Sequence, residues 1–176
     1  MISKKLIDRI NLQINRETYS AYLYMAMSAR MSDDGYNGIA KWFMTQYHEE
    51  MFHSMKFFQY LIDQGAKPAL EKLDKPELKA KTIKEFFEAA LEHEKFVTSS
   101  IRELLELAIA EKDYATENLV RWYIDEQAEE EKNANEILRN IELLGDSKQG
   151  LFMLNLELGK RAVTIPLDFT TPFPAV

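Results

Sequence analysis

The 176 residues are 46% apolar, set 29 acids against 22 bases for a formal charge of −7, and include no cysteine. Such a chain suffices for one globular domain with a sizeable core. Its acidity argues against nucleic acid and for cations, and the missing thiols exclude disulfides, zinc ribbons and thiolate-held clusters.

Apolar residues recur at steps of three and four almost throughout, and the prolines fall only in the 66–82 segment and the last eleven residues. The opening "MISKKLIDRI" has no continuous apolar signal core, and the first helix is predicted from Ser3 to Asp33. "DDGYNG" (33–38) reads as a short turn, followed by a second helix to Gln64 that Gly65 stops. "AKPALEKLDKPELKAKT" (66–82) is a long connection ending in Thr82, an N-cap with Glu85 as capping-box partner. A third helix runs to about Ala110, and a fourth follows the "EKDYAT" turn and reaches Leu144 before Gly145. A short fifth helix is expected over 148–161, and "TIPLDFTTPFPAV" is expected to be extended. Two helical hairpins joined by one long connection predict an all-α four-helix bundle with a single crossover and a short fifth C-terminal helix. The bundle is assigned to residues 1–162 and the tail to 163–176. No run approaches the roughly 20 apolar residues of a membrane span, so a cytoplasmic protein with no membrane partner is expected.

Stepping along each helix by threes and fours exposes a recurrent anomaly. The first helix gives Leu6, Ile10, Gln13, Glu17, Ala21, Tyr24 and Met27, and the second Phe43, Tyr47, Glu50, His53, Phe57 and Leu61. The third gives Phe87, Ala90, Glu94, Val97, Ile101, Leu104 and Ala108, and the fourth Val120, Tyr123, Gln127, Glu130, Ala134, Ile137 and Ile141. Each apolar stripe is the face a helix must bury, and each is broken near its middle by a carboxylate. None of the four stripes contains lysine or arginine. Unpaired buried carboxylates cost several kcal/mol each, so a multivalent cation is the natural resolution.

The spacing repeats. Glu17 and Glu50 lie 33 residues apart, as do Glu94 and Gln127, while Glu50–His53 and Gln127–Glu130 are both i, i+3 pairs. Residues at i and i+3 share a helix face and can converge on one ion. Two such half-sites make the layout of a dinuclear carboxylate centre. Oxygen-rich ligation with one imidazole and no thiolate favours iron or manganese.

"EEMFH", with Glu17, Glu94 and "DEQAEEE" (125–131), resembles the prokaryotic non-haem ferritins over essentially the first 160 residues. The resemblance implies a homo-oligomeric, twenty-four-chain shell that stores ferric mineral. It implies a ferroxidase centre in each chain, oxidising ferrous iron with dioxygen or peroxide. Glu17, Glu50 and His53 would hold one iron. Glu50 would bridge to a second, held also by Glu94 and Glu130, with Gln127 beside the pair. A third iron position would use Glu49, Glu126 and Glu129 and share Glu130. Tyr24 and Trp122 match aromatic positions beside the centre, with Tyr24 assigned to catalysis.

Bacterioferritins carry a second ExxH where this chain has Gln127 and Glu130, and Met51, which matches their haem methionine, does not discriminate alone; haem is not expected. His48 and His93 lie off the seams and are expected on solvated faces, and Glu111, Asp113 and Glu117 on a wet turn. The rival reading is a non-storage diiron oxidase or peroxide-scavenging bundle of low oligomeric state, which assembly mass would distinguish.

Overall fold

A computed structural model describes residues 2–165. Five helices follow in order: α1 (Lys4–Asp33), α2 (Asn37–Asp63), α3 (Ile83–Ala110), α4 (Tyr114–Leu144) and α5 (Lys148–Leu158). The local chemistry at their ends explains the boundaries. Ser3 accepts from the Leu6 N–H at 3.2 Å at the start of α1. Thr82 and Glu85 form the reciprocal capping box predicted for α3. Asp113 accepts from the Thr116 N–H at 3.0 Å and so caps α4; that acid at the α3–α4 turn has a structural task. Gly145, at φ 52°, closes α4 in a conformation that suits glycine. The fifth helix ends at Leu158, three residues short of the predicted Arg161, because the chain turns at Gly159 and lets Arg161 reach back toward α2. Most of the predicted tail, residues 166–176, lies outside the described residues.

The packing establishes the topology. One core cluster joins Leu6, Ile10 and Ile14 of α1 to Phe57 and Leu61 of α2, Val97, Ile101 and Leu104 of α3, and Val120 and Tyr123 of α4. The other joins Tyr24, Met27 and Met31 to Ile39, Phe43, Phe86, Phe87 and Ile137. The starts of α1 and α4 therefore share an end of the bundle with the finishes of α2 and α3. Helices α2 and α3 run parallel, as a single crossover over 64–82 requires. Between the two apolar clusters lies a buried polar layer containing Gln13, Glu17, Gln46, Glu50, His53, Glu94, Gln127 and Glu130.

Helix α5 packs across the beginning of α2. The Asn155 side-chain oxygen accepts from the Gly38 and Ile39 N–H groups at 2.9 and 3.1 Å, and Lys41 donates to the Gly159 carbonyl at 2.9 Å. The approach needs a glycine: a Cβ on Gly38 would lie 1.7 Å from the Asn155 carbonyl oxygen. Leu154 is buried by this packing, while Phe152, Met153 and Leu156 stay exposed on the other side. No helix among the described residues is long and apolar enough to cross a membrane.

Candidate metal centre

Glu17, Glu50 and His53 come together in the buried layer, and Glu94 and Glu130 lie in the same layer without joining that compact group. Glu17, Glu50, His53, Glu94 and Glu130 are all 5% exposed or less. One ligand atom each from Glu17, Glu50 and His53 lies within 4.8 Å of the others, close enough to share one cation. Buried atoms here lack hydrogen-bond partners: Oε2 of Glu17, both carboxylate oxygens of Glu50, and Nδ1 of His53. The His53 Nδ1 lies 3.5 Å from Glu50 Oε2, too far for a good bond. Buried polar atoms are almost always satisfied in folded proteins. Four orphaned ligand atoms facing one point fit a metal ion by charge, donor type and spacing.

The second half-site is buried but more occupied by protein donors. Tyr24 donates its hydroxyl to Glu94 Oε1, and Gln127 donates Nε2 to Glu94 Oε2 at 3.0 Å. Gln46 donates Nε2 to Glu130 Oε2 at 2.7 Å. Each acceptor oxygen keeps a second lone pair, so these bonds orient the carboxylates without exhausting them. Gln127 therefore positions Glu94. Glu50 differs from its fellows in accepting no hydrogen bond on either oxygen, which leaves both free to ligate.

Charge at the centre follows from burial. Desolvation raises Glu17 to about 7, against stabilising bonds that include Gln13, and it pushes Glu50 and Glu130 well above the carboxylate range, reinforced by repulsion from Glu94. Glu94 is raised by burial too, although Tyr24 and Gln127 oppose the shift. Burial lowers His53 to about 3, leaving a neutral imidazole ready to donate a lone pair. The Tyr24 phenol is raised by burial and the surrounding carboxylates, so it stays protonated as a donor.

The acids proposed for a third position are more open. Glu49 is partly buried and Glu126 and Glu129 lie nearer solvent; burial raises Glu49 and Glu126, with Glu129 repelling each. They are not drawn into the compact Glu17–Glu50–His53 group. Trp122 stacks edge-on against His53 at 5.6 Å between ring centroids, and Lys56 lies 3.4 Å above the Trp122 ring.

Three placements differ from the sequence reading. On α2 the seam between Phe43 and Glu50 is filled by the fully buried Gln46, three residues after Phe43, and Tyr47 is only partly buried. His93 is half-buried rather than solvated, its Nε2 2.7 Å from the Ser20 hydroxyl. Arg161 was invisible as a site residue: it donates to Glu49 Oε2 at 2.6 Å and to Gln46 Oε1. Only the i, i+4 spacing of Gln46 to Glu50 carried a sequence signal; nothing local to Arg161 did.

Comparison with known proteins agrees with this fold. The family model for the ferritin-like domain matches residues 7–144. A probable bacterial non-haem ferritin-like protein of Haemophilus influenzae is 39% identical over 159 residues, covering 90% of this chain and 96% of that protein. A bacterial non-haem ferritin of Staphylococcus aureus is 36% identical over 161 residues, covering 92% and 97%. Among solved structures, the open-pore ferritin of the hyperthermophilic archaeon Archaeoglobus fulgidus superposes with a TM-score of 0.90 at 39% identity, covering 92% of this chain and 98% of that one. On a match of this breadth, with the acids of the bundle interior in place, the chain belongs to the ferritin family.

Proposed function

We propose that this chain is a ferroxidase subunit of a cytoplasmic iron-storage shell, with an iron-oxidising dinuclear site inside each bundle. The observation that carries the reading is the Glu17–Glu50–His53 cluster, whose four orphaned buried atoms call for a divalent cation. Ferrous iron is the substrate. Glu17, Glu50 and His53 would bind one ion; Glu50, Glu94 and Glu130 would bind the other. Two ions at the usual two-metal separation of about 3.5–4 Å each release one electron, reducing dioxygen and two protons to hydrogen peroxide. With peroxide as oxidant, the same two electrons and two protons yield water.

Charge gives the cycle a direction. Four carboxylates balance two divalent ions, so the loaded ferrous centre is neutral. Oxidation leaves two excess positive charges in a low-dielectric site, where Coulombic imbalance is large. Glu49, Glu126 and Glu129, more exposed and unneeded by the ferrous pair, offer the nearest anionic path outward and a third iron position. Tyr24 would orient Glu94 through its hydroxyl, and Trp122 would hold the His53 ring by packing on it.

The exposed apolar residues Phe152, Met153 and Leu156 on α5, with Leu143 at 85% exposure, support burial between subunits. The test is stopped-flow absorbance on metal-free protein given two Fe(II) per chain without oxygen, then air. A fast transient followed by a yellow-brown product is expected. Glu50→Ala and His53→Ala should lose the fast phase, and wild-type rates in both would refute the site. Sedimentation mass tests the shell, since a dimer-sized particle would refute storage.

A further inference from the structure

Arg161 is a cation fixed against the acids of the proposed third iron position. It follows Gly159 at the turn that ends α5, and its guanidinium lies 4.9 Å over the Trp42 ring. From there it donates to Glu49 Oε2 at 2.6 Å and to Gln46 Oε1. Gln46 is fully buried and its amide has one orientation that fits: with the oxygen taken by Arg161, the nitrogen faces Glu130 and donates at 2.7 Å. One side chain thus holds Glu49 directly and Glu130 through an amide. Its anchor is rigid, because Asn155, Lys41 and the missing Cβ of Gly38 lock α5 onto α2.

We infer that Arg161 is a positioning residue that occupies the third position as a built-in counter-cation and must withdraw from Glu49 before an iron ion can settle among Glu49, Glu126, Glu129 and Glu130. The inference rests on the dinuclear reading above and deepens it. A guanidinium and a metal ion competing for one carboxylate are linked by mass action: whatever binds the anion without the other weakens the other. Arg161 therefore keeps the third position weak while leaving the Glu17–Glu50–His53 position untouched, which biases incoming ferrous iron to the paired site. It also couples exit of iron to the seating of α5, an element whose other face is apolar and exposed.

The test is calorimetric titration of the metal-free assembled protein with Zn(II), a redox-silent probe, comparing wild type with Arg161→Ala and Arg161→Lys. The equivalent bound at Glu17, Glu50 and His53 should be unchanged in all three. The third should tighten by about tenfold or more in Arg161→Ala, the range of one charge-assisted hydrogen bond, and by less in Arg161→Lys, which can reach only one partner. Glu49→Gln should abolish the third equivalent. Anomalous scattering from Zn(II)-soaked wild-type crystals should show Arg161 drawn away from Glu49 wherever the third ion is present. An unchanged or weaker third equivalent in Arg161→Ala, with the Glu17–Glu50–His53 equivalent intact, overturns the inference alone. Loss of every equivalent in wild type would overturn the dinuclear reading as well.

Discussion

The centre should make the metal-free protein less stable than it could be, and Glu17→Gln isolates that cost. Burial lifts the folded pKa of Glu17 from 4.5 to about 7. The sign follows from linkage: a raised carboxyl is at its most favourable below 4.5, and the folded state loses stability as pH climbs through 7. At 1.36 kcal/mol per unit the loss above pH 7 is about 3 kcal/mol. A glutamine keeps the bond from Gln13, now 2.7 Å to the Glu17 Oε1, because its amide oxygen can accept in the same place. Its nitrogen gains a donor for the unsatisfied Glu50. The variant should thus gain about 3 kcal/mol at pH 8, or roughly 6–12 °C in melting temperature for a domain of this size.

Calorimetry with a chelator present, at pH 8, 7, 6 and 5, is the assay, with assembly mass checked in parallel. The advantage should shrink to about 1 kcal/mol or less at pH 5, where the wild-type carboxyl is already mostly protonated. Zn(II) at about 1,000 times its Kd should reverse the order, since it stabilises wild type by about 4.1 kcal/mol and a variant that has lost a ligand by far less. Equal melting temperatures at pH 8 would refute the argument. So would a gain that does not diminish on acidification, because that would mark Glu17 as an ordinary structural acid.

Zn(II) binding should release protons at pH 6.5, where Glu17 is largely protonated, and fewer at pH 8; titrations in buffers of different ionisation enthalpy count them, and no difference between the two pH values would refute the charge assignment. Gly38→Ala should unseat α5, since the new Cβ would meet the Asn155 carbonyl at 1.7 Å; a lowered melting temperature and faster hydrogen exchange across 148–161 are expected. His93, lowered by burial to about 4, gives stability that is complete above pH 6.5 and lost as pH falls toward 4. The bound is about 3 kcal/mol, reduced by partial exposure of the ring. His93→Gln, which can keep a bond to Ser20, should flatten the melting-temperature slope over that window.

The helices and the ligand faces were legible because both depend on period. Glu17, Glu94 and Glu130 each fall on an apolar stripe with its phase intact, and a helix buries such a stripe whatever interrupts it. Glu50 and His53 needed only the i, i+3 rule. Donor assignments were not legible, because they depend on rotamers and on partners distant in the chain: Tyr24 reaching Glu94, or Gln46 reaching Glu130, spans 70 and 84 residues. Tyr47 stands on the α2 stripe because a four-residue step from Phe43 and a three-residue step to Glu50 meet there, whereas the fold places Gln46 in that layer. A polar layer needs amide donors. Arg161 lay beyond reach for a different reason. Its role depends on where α5 ends and which way the chain then turns, and Gly159 allows more than one direction.

The distribution of amide donors bears on how the proposed centre would bind an ion and let it go. Gln13 holds Glu17, Gln127 holds Glu94, and Gln46 holds Glu130. Each of these glutamines takes a second contact from outside the centre or from the backbone. Ser100 donates to Gln13 Oε1, Arg161 to Gln46 Oε1, and the Gln127 nitrogen also lies 3.3 Å from the Glu94 carbonyl. Three carboxylates are thereby fixed in direction before any metal arrives, which lowers the ordering entropy of binding. Glu50 alone accepts no hydrogen bond on either oxygen, and it is fully buried. Giving Glu50 a donor would stabilise the empty protein and weaken the carboxylate left open beside Glu17 and His53. Affinity at this centre is therefore set largely by what the fold leaves unsatisfied, and a residue that improved the empty core would degrade the site.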